Sequence, residues 1–395
     1  MKHLYITCVH LLFLVGCNEQ QNRNKIAVSN TIHIVDINHP IKVSLSDFIT
    51  DIDTIRLEAA DNSLLKNIVQ LQVLEDRIYI LTSNWDALFI FDINGKFIAQ
   101  IFDKGQGPND YIRINCFWVD PFDDRIIIPD GFSRKILIYD KNGKQLDVIK
   151  LNFPPMLIIP YNDGYINNSS GYGYNQSPDM ADYHINFLNS NGEFIKSALR
   201  EENKMGVPIF SFGRVNILKD GDILFQPPLS YIVYKIHDNE AIPYYEFNNL
   251  SKFKSLSDKE YRNFDYRFGE NNLLKEKEDQ GYLLTWGDVY DTDSFVIFLF
   301  RGYDICRLLY YDKKNLKSFF VDPLSLIGDN YSIDFFMNYI SAVYNDRLYA
   351  APSDYILLKL KGEVKINDNK VQEFLNNTDE DSNPFIISFK LKFPE

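Results

Sequence analysis

Cysteine, histidine and basic residues are scarce in this chain, and these shortages exclude several classes of protein. Its 395 residues include 4 Cys and 6 His, with no H-x-H or H-E-x-x-H spacing that would mark a zinc site. No G-x-S-x-G nucleophile elbow occurs. Lys and Arg number 41 against 54 Asp and Glu, a net charge of −13, so no continuous basic surface is available for phosphates. The sequence therefore predicts no catalytic residue, no metal, no cofactor and no nucleic-acid partner.

Long apolar runs are also scarce, and the most apolar run lies at the start of the chain. Residues 4–15 are too few to span a bilayer as a mature helix. They end in LVGC at residues 14–17, which resembles the bacterial lipobox, whose cysteine is acylated before the preceding bond is cleaved. The resemblance implies a lipoprotein signal peptide over residues 1–16 and a lipid anchor, palmitate among its chains, at Cys17. The alternative is an ordinary secretory signal with an incidental cysteine.

The polar residues 17–30 then form a flexible tether between lipid and domain. Acyl chains hold a protein on a membrane without spanning it. The predicted location is the bacterial envelope, lipid-anchored to the outer membrane, on either its periplasmic or its cell-surface side.

One sequence unit occurs twice in succession. Residues 78–101 read IYILTSNWDALFIFDINGKFIAQI and residues 126–149 read IIIPDGFSRKILIYDKNGKQLDVI. Each contains an apolar strand, a polar loop, a second strand, a turn and a third strand. The turn aspartates Asp92 and Asp140 are 48 residues apart. A β-rich period of this length is typical of propeller blades.

The turn position recurs along the chain and sets the number of blades. It is found again at Asn189, Asp238, Asp312 and Lys361, after intervals of 49, 49, 74 and 49 residues. Six such positions predict an all-β, six-bladed β-propeller over residues 31–395 as a single domain. The long interval predicts an insertion at about residues 245–285, in the blade-five region, with a helix at about 258–268.

A second short helix is predicted at about residues 369–376. We expect the strand at about 384–392 to close the ring with strands from residues 32–37 and 53–57, all in one blade, because an open ring would leave exposed edges. Cys116 and Cys306 then fall on roughly opposite blades, beyond the ~7 Å limit for a disulfide. They are predicted to be buried free thiols.

The repeat also assigns loops to faces. If the repeated strands are the second, third and fourth of each blade (B, C and D), the N-G-K turns lie on one face. The B–C loops and D–A connections then lie on the other, where aromatic, arginine and aspartate side chains would suit a ligand with polar and apolar parts. The candidate ligand-binding residues are Trp85, Tyr111, Arg134, Tyr172, Tyr174, Tyr231, Arg301 and Asp354.

Each candidate also has a structural interpretation. Trp85 could pack between blades, and Arg134 and Arg301 could be solvated or salt-bridged. The loop KGQGPNDY at residues 104–111 could simply turn the chain into the next blade, with its glycines in a structural role. It is not a nucleotide loop, since G-K-[ST] does not follow.

Several segments together resemble a known family. The lipobox, SLSDFITDIDTIRLE at residues 44–58, the GQGPNDY loop and EDSNPFIISFKLK at 380–392 are similar to the six-bladed β-propeller lipoproteins of Bacteroidota, often described as TolB-like. Residues 95–144 resemble a degenerate NHL-type pair of blades. The resemblance implies a six-bladed β-propeller fold and a location in the cell envelope. It implies no catalytic residue.

The leading functional hypothesis is a lipid-anchored, non-catalytic binding protein. Its ligand would be a glycan or a peptide, held by the B–C loops and the GQGPNDY loop. One alternative is a propeller hydrolase or lyase acting on an extracellular saccharide, which would need a carboxylate cluster in the channel. Another is a scaffold subunit of an envelope complex.

Overall fold

The computed structural model of the protein describes its β-sheet framework and part of the connecting loops. The described residues are 32–36, 49–59, 63–65, 67–168, 177–201, 215–227, 230–248, 280, 285–301, 306–321, 340–351, 373, 376 and 383–392. The chain divides into two units, Met1–Thr31 and Ile32–Glu395. All described residues belong to the second unit, and they form 25 strands in six sheets.

Each sheet is one blade of a six-bladed β-propeller, as the sequence predicted. Within a blade, neighbouring strands are antiparallel, and we letter them A to D in sheet order, starting at the channel. Blade one comprises β3 (Ile68–Leu74), β4 (Arg77–Thr82), β5 (Leu88–Asp92) and β6 (Phe97–Ile101). Blade two comprises β7 (Trp118–Val119), β8 (Ile126–Asp130), β9 (Lys135–Tyr139) and β10 (Gln145–Lys150). Blade three comprises β11 (Leu157–Tyr161), β12 (Gly164–Asn168), β13 (Tyr183–Leu188) and β14 (Phe194–Arg200).

The remaining blades follow the same order, with strands from both ends of the second unit. Blade four comprises β15 (Asn216–Ile217), β16 (Ile223–Phe225), β17 (Ile232–His237) and β18 (Glu240–Asn248), with β1 (His33–Asp36) added in parallel outside β18. Blade five comprises β19 (Thr285–Asp291), β20 (Phe295–Arg301), β21 (Cys306–Asp312) and β22 (Lys317–Val321). Blade six comprises β23 (Ile340–Tyr344), β24 (Arg347–Ala350), β25 (Phe385–Leu391) and β2 (Ile49–Arg56).

Burial explains why the B and C strands are such continuous apolar runs. Every residue of β8 and β9 is buried, whereas the outer strand β10 is partly or fully exposed along its length. Strands covered on both faces read as unbroken hydrophobic stretches. The core accordingly forms between neighbouring blades: Ile90 of blade one and Leu137 of blade two belong to one buried cluster.

The two ends of the second unit meet in blade six, as predicted for residues 53–57 and the C-terminal strand. Ile55 of β2 pairs with Ile386 of β25, so the N-terminal part of the unit supplies the outermost strand. The prediction for residues 32–37 was wrong. β1 pairs with β18 instead, with His33 opposite Tyr245, because the outer edge of blade six is already taken by β2.

Three other predictions are modified. Blade six has no C–D turn within the C-terminal part of the chain, so Lys361 is not a sixth turn position but lies between β24 and β25 in sequence. The insertion starts later than residue 245, since β18 continues to Asn248. The insertion also lies between two blades, because it connects strand D of blade four to strand A of blade five.

The predicted helices receive no support from the described residues, which contain no helix with defined bounds. The helix at about 258–268 lies outside the described residues. In the segment 369–376 only Glu373 and Asn376 are described, both with helical backbone.

Candidate functional site

The strand order separates two faces of the propeller, as predicted. β4, β5 and β6 are strands B, C and D of blade one, and β8, β9 and β10 are those of blade two. We call the face with the B–C loops and D–A connections the upper face, and the face with the A–B and C–D turns the lower face.

In the repeated turns on the lower face, polar side chains hydrogen-bond to the backbone of their own turn. Asp92 Oδ1 accepts hydrogen bonds from the amides of Asn94 and Lys96, both at 2.9 Å. Asp140 and Asn189 accept the same pair of amide bonds in their own turns. These side chains stabilise the turn and leave that oxygen no capacity for a ligand.

Trp85 lies in the B–C loop of blade one in an uncommon backbone conformation. Its φ is 59°, in the left-handed region that bulky residues rarely adopt. Its amide donates to the Thr82 carbonyl at 3.0 Å, and its own carbonyl accepts the Ile114 amide at 3.0 Å. The Arg113 guanidinium lies over the indole, 5.0 Å from the ring centroid, a cation–π distance. The ring is partly buried and packs on the core between blades one and two, which agrees with the interpretation of Trp85 as a residue that packs between blades. Its role in ligand binding stays a prediction.

Asp130 joins the neighbouring loops. Its side chain is fully buried at the end of β8. It accepts the Ile112 amide at 2.8 Å, the Phe132 amide at 3.1 Å and the Ser133 hydroxyl at 2.5 Å. One carboxylate thereby fixes the D–A connection that enters blade two and the B–C loop within it.

The residues held by Asp130 and Trp85 form a mixed apolar and basic surface on the upper face of blades one and two. Phe132 is 64% exposed and Ile112 41% exposed. Arg134, also exposed, has φ 54°, a second left-handed residue in a B–C loop. We call this surface the Trp85–Phe132 patch. It consists of Trp85, Ile112, Arg113, Phe132 and Arg134.

Tyr111 is not part of an accessible site, contrary to its candidacy. It is fully buried in the core between blades one and two, and its hydroxyl is 2.8 Å from the Asp86 carbonyl and 3.2 Å from the Ile101 carbonyl. Burial raises the pKa of its phenol well above the ordinary value. Tyr111 therefore fills the space between blades.

The GQGPNDY loop lies along the flank of blade two. The buried Lys135 Nζ, at the start of β9, donates to the carbonyls of Gly107 at 2.8 Å and Asp110 at 3.1 Å. At the start of β10, Gln145 Nε2 donates to the Asn109 carbonyl at 2.8 Å. The loop thus contacts both ends of the β9–β10 hairpin, which favours the structural interpretation of its glycines.

Of the remaining candidates, only Tyr231 has a described side chain, and it lies in blade four. Tyr231 is partly buried against the cluster formed by blades four and five. Arg301 ends β20, and its side chain is not described. Tyr172, Tyr174, Asp354 and the predicted lipidation site Cys17 lie outside the described residues.

Sequence reasoning missed Ile112, Arg113 and Asp130. Ile112 and Arg113 directly follow the GQGPNDY motif, so extending the candidate loop by two residues would have included both. Asp130 looks like a turn residue ending a strand, and nothing in the pattern reveals that its carboxylate is buried.

Charged residues also meet on the lower face of blade four. Asp222 Oδ1 lies 2.8 Å from His237 Nδ1, and its Oδ2 lies 2.7 Å from Lys235 Nζ.

Among the described residues, no group of His, Cys, Asp and Glu could hold a metal ion. Cys116 is a buried free thiol, as predicted, and burial raises its pKa to about 12. Within the part of the chain that the structure describes, no helix is long and apolar enough to cross a membrane.

Comparison with solved structures shows that other proteins share this fold. An exported protein of Bacteroides fragilis superimposes with a TM-score of 0.73 at 20% identity, covering 92% of this chain and 100% of that one. A member of the DUF4221 family from Bacteroides vulgatus gives a TM-score of 0.53 at 11% identity, covering 87% and 98%. No curated protein matches the chain significantly. A family model described as a domain of unknown function, DUF4934, matches residues 29–390.

Proposed function

The chain belongs to the DUF4934 family. From its N-terminal sequence and its surface we propose that it is an envelope-anchored binding protein that holds a peptide segment of a partner protein on the Trp85–Phe132 patch. The observation that carries the proposal is the exposed Phe132 and Ile112 beside the Arg113–Trp85 stack. Trp, Phe and Arg are the residues enriched at protein interfaces and at their energetic hot spots.

The chemistry of the patch favours a peptide over a glycan. A saccharide needs an open aromatic face and nearby polar groups, but the Trp85 ring already carries the Arg113 guanidinium. Ile112 adds a branched aliphatic side chain, which packs on apolar side chains rather than on hydroxyl groups. Arg113 and Arg134 place two positive charges on a protein of net charge −13, so a segment that pairs apolar and acidic residues complements the patch.

The backbone beneath the patch is fixed before any partner binds. Asp130 holds the amides of Ile112 and Phe132, and Trp85 is bonded at both its amide and its carbonyl. Anchor residues on a fixed backbone lose less conformational entropy when a partner docks. This pre-organisation supports recognition rather than an incidental exposed phenylalanine.

The proposed anchor is a lipid on Cys17, supported by the sequence LVGC. It implies that the protein works on the outer membrane rather than free in solution. Metabolic labelling with a palmitate analogue should mark the wild-type protein and leave a Cys17→Ala variant unlabelled. Labelling of both variants would place the acylation elsewhere.

Binding is tested with the soluble Cys17→Ser protein. We would screen it against a displayed random-peptide library and, in parallel, against a glycan array. Peptides that combine acidic and apolar residues are expected to be selected. Phe132→Ala and Arg113→Ala should each weaken the best peptide at least tenfold, as for buried hot spots.

The matched control is Phe122→Ala, which removes a phenylalanine that is 49% exposed on the lower face of the same blade. It should leave the affinity unchanged. Peptide binding that survives Phe132→Ala and Arg113→Ala would refute the site. Binding of a glycan together with an empty peptide screen would refute the ligand class.

A further inference from the structure

The first strand of the propeller unit is held on blade four by few residues. β1 spans only His33–Asp36 and pairs in parallel with the last part of β18, from Tyr245 to Asn248. Val35 is fully buried in the cluster between blades four and five, whereas Ile34 is 48% exposed. Among the described side chains of this four-residue edge strand, those of His33–Val35, only that of Val35 is buried, and edge segments open with little free energy.

His33 supplies three aromatic contacts to this strand. Its ring centroid lies 4.9 Å from that of Tyr244, 5.4 Å from Tyr245 and 6.5 Å from Tyr311. Tyr311 belongs to blade five, so the histidine links β1 to two blades at once. Aromatic pairs at these distances and tilts stabilise packing beyond the area they bury.

We propose that β1 is an acid-released latch on blade four, closed while His33 is neutral and opened when His33 gains a proton. The stacked, partly buried position favours the uncharged ring. Burial, with a contribution from the positive charge of Lys313, lowers the pKa of His33 below its ordinary value. The docked strand therefore binds a proton less readily than the released strand.

Two cations lie near the His33 stack, and each is paired with a carboxylate. Lys313 Nζ follows β21 and lies 2.8 Å from Asp291 Oδ1, while Lys235 of β17 lies over the Tyr244 ring at 5.6 Å and 2.7 Å from Asp222 Oδ2. Of these groups, Lys313 contributes to the lowered pKa of His33, and burial contributes more.

The sign of the pH dependence follows from linkage. A histidine whose pKa is lowered in the docked state favours docking above its free pKa of about 6.5. That contribution is lost as the pH falls below this value. Release would leave Ile49, the first residue of β2, as the point where the chain joins the ring.

Hydrogen exchange followed by mass spectrometry tests the latch. We would compare protection of residues 33–36 at pH 7.5 and pH 5.0, corrected for intrinsic exchange, with amides of β8 and β9 as the reference for an intact ring. In the wild type, protection of β1 should be lower at pH 5.0 than at pH 7.5, while the reference amides stay protected.

Two substitutions at the same position separate charge from shape. His33→Phe keeps a stacking ring without a titrating group and should hold β1 protected at both pH values. His33→Lys carries a permanent charge and should leave β1 unprotected at both. Equal protection of wild-type β1 at the two pH values, or a loss in His33→Phe as large as in the wild type, would overturn the proposal.

Discussion

His184 lies in the packed interior of blade three, on β13, with 6% of its surface exposed. Its ring centroid is 6.1 Å from that of Phe225 in blade four. Burial lowers the pKa of this imidazole to about 4. The folded ring therefore holds a neutral histidine that the unfolded chain protonates near pH 6.5.

Acid should accordingly weaken the whole fold through His184. Because the folded pKa lies below the unfolded one, its contribution is complete above pH 6.5 and is lost as the pH falls toward 4, by about 3 kcal/mol in the free energy of unfolding. Urea denaturation at pH 7.5, 6.0 and 4.5 measures this. His184→Gln should flatten the slope of the unfolding free energy against pH. An unchanged slope in His184→Gln would contradict the assignment.

Asp130 provides a second prediction at the residue scale. Asp130→Ala removes an acceptor that serves two amides and one hydroxyl. Hydrogen bonds to charged groups contribute about 1.5–3 kcal/mol each. Because the loops can rearrange and form other bonds, the variant should lose about 3 kcal/mol of unfolding free energy, less than the sum of the three. Ser133→Ala removes one of the three bonds and should cost about 1.5 kcal/mol. Chemical denaturation of both variants measures the difference. Equal losses would mean that the two amide bonds contribute nothing.

At the site, residue patterns alone could locate the loops but not the contacts between them. Trp85 and Arg134 were recognised because both follow an apolar strand in a repeated unit. The stack of Arg113 on Trp85 joins two loops of different blades, and no local pattern encodes such a pairing. Tyr111 was misjudged for the converse reason, because an aromatic residue at the end of a polar loop looks exposed until the neighbouring blade covers it.

At the element scale, the C–D turns fasten each of the first three blades to its predecessor. A Cβ on Gly95 would lie 2.0 Å from the carbonyl oxygen of Arg56 in blade six. A Cβ on Gly143 would meet side chains of blade one, with Ile101 at 3.1 Å and Ile90 at 3.5 Å, and no backbone atom among its three nearest neighbours. Both glycines have positive φ, 86° and 83°, which an alanine tolerates poorly.

These two turns should therefore respond differently to the same substitution. Gly143→Ala should cost about 1–2 kcal/mol of unfolding free energy, the strain of a left-handed alanine. Gly95→Ala should cost clearly more, because a backbone carbonyl cannot move aside as a side chain can. Thermal and urea denaturation of the pair give the comparison, and identical losses would show that contact between blades adds nothing to the strain.

The strand pattern was predictable in blades one and two because their B and C strands are buried on both sides and their turns need Asp and Gly. It was less predictable in blade six, where strand D is β2, from the other end of the unit. A repeat count assumes that every blade has its own C–D turn, and ring closure removes one. Lys361 was counted for that reason.

At the scale of the whole molecule, Asn383 closes the ring. This buried side chain donates to the carbonyls of Glu58 and Ser63, both at 2.7 Å, and accepts the Leu65 amide at 2.8 Å. Asn383 lies two residues before β25, and its side chain ties this point to the connection between β2 and β3. The ring is thereby closed by side-chain hydrogen bonds as well as by the pairing of β2 with β25.

Asn383→Ala should destabilise the ring by about 3 kcal/mol, because three backbone groups lose their partner in a buried place. Asn383→Asp keeps the acceptor and loses both donors, so it should be destabilising as well. Denaturation followed by tryptophan fluorescence measures the loss, and Asn94→Ala in an exposed turn serves as the control. A loss no greater than that of the control would mean that closure rests on β2 and β25 alone.

β1 also begins on the face opposite the Trp85–Phe132 patch. β18 runs from the lower face to the upper face, and β1 runs parallel to it, so β1 starts on the lower side of blade four. The Trp85–Phe132 patch lies on the upper side of blades one and two. A partner docked on the patch would therefore leave the start of β1 uncovered, so that docking and the hydrogen exchange of β1 could be measured independently of each other.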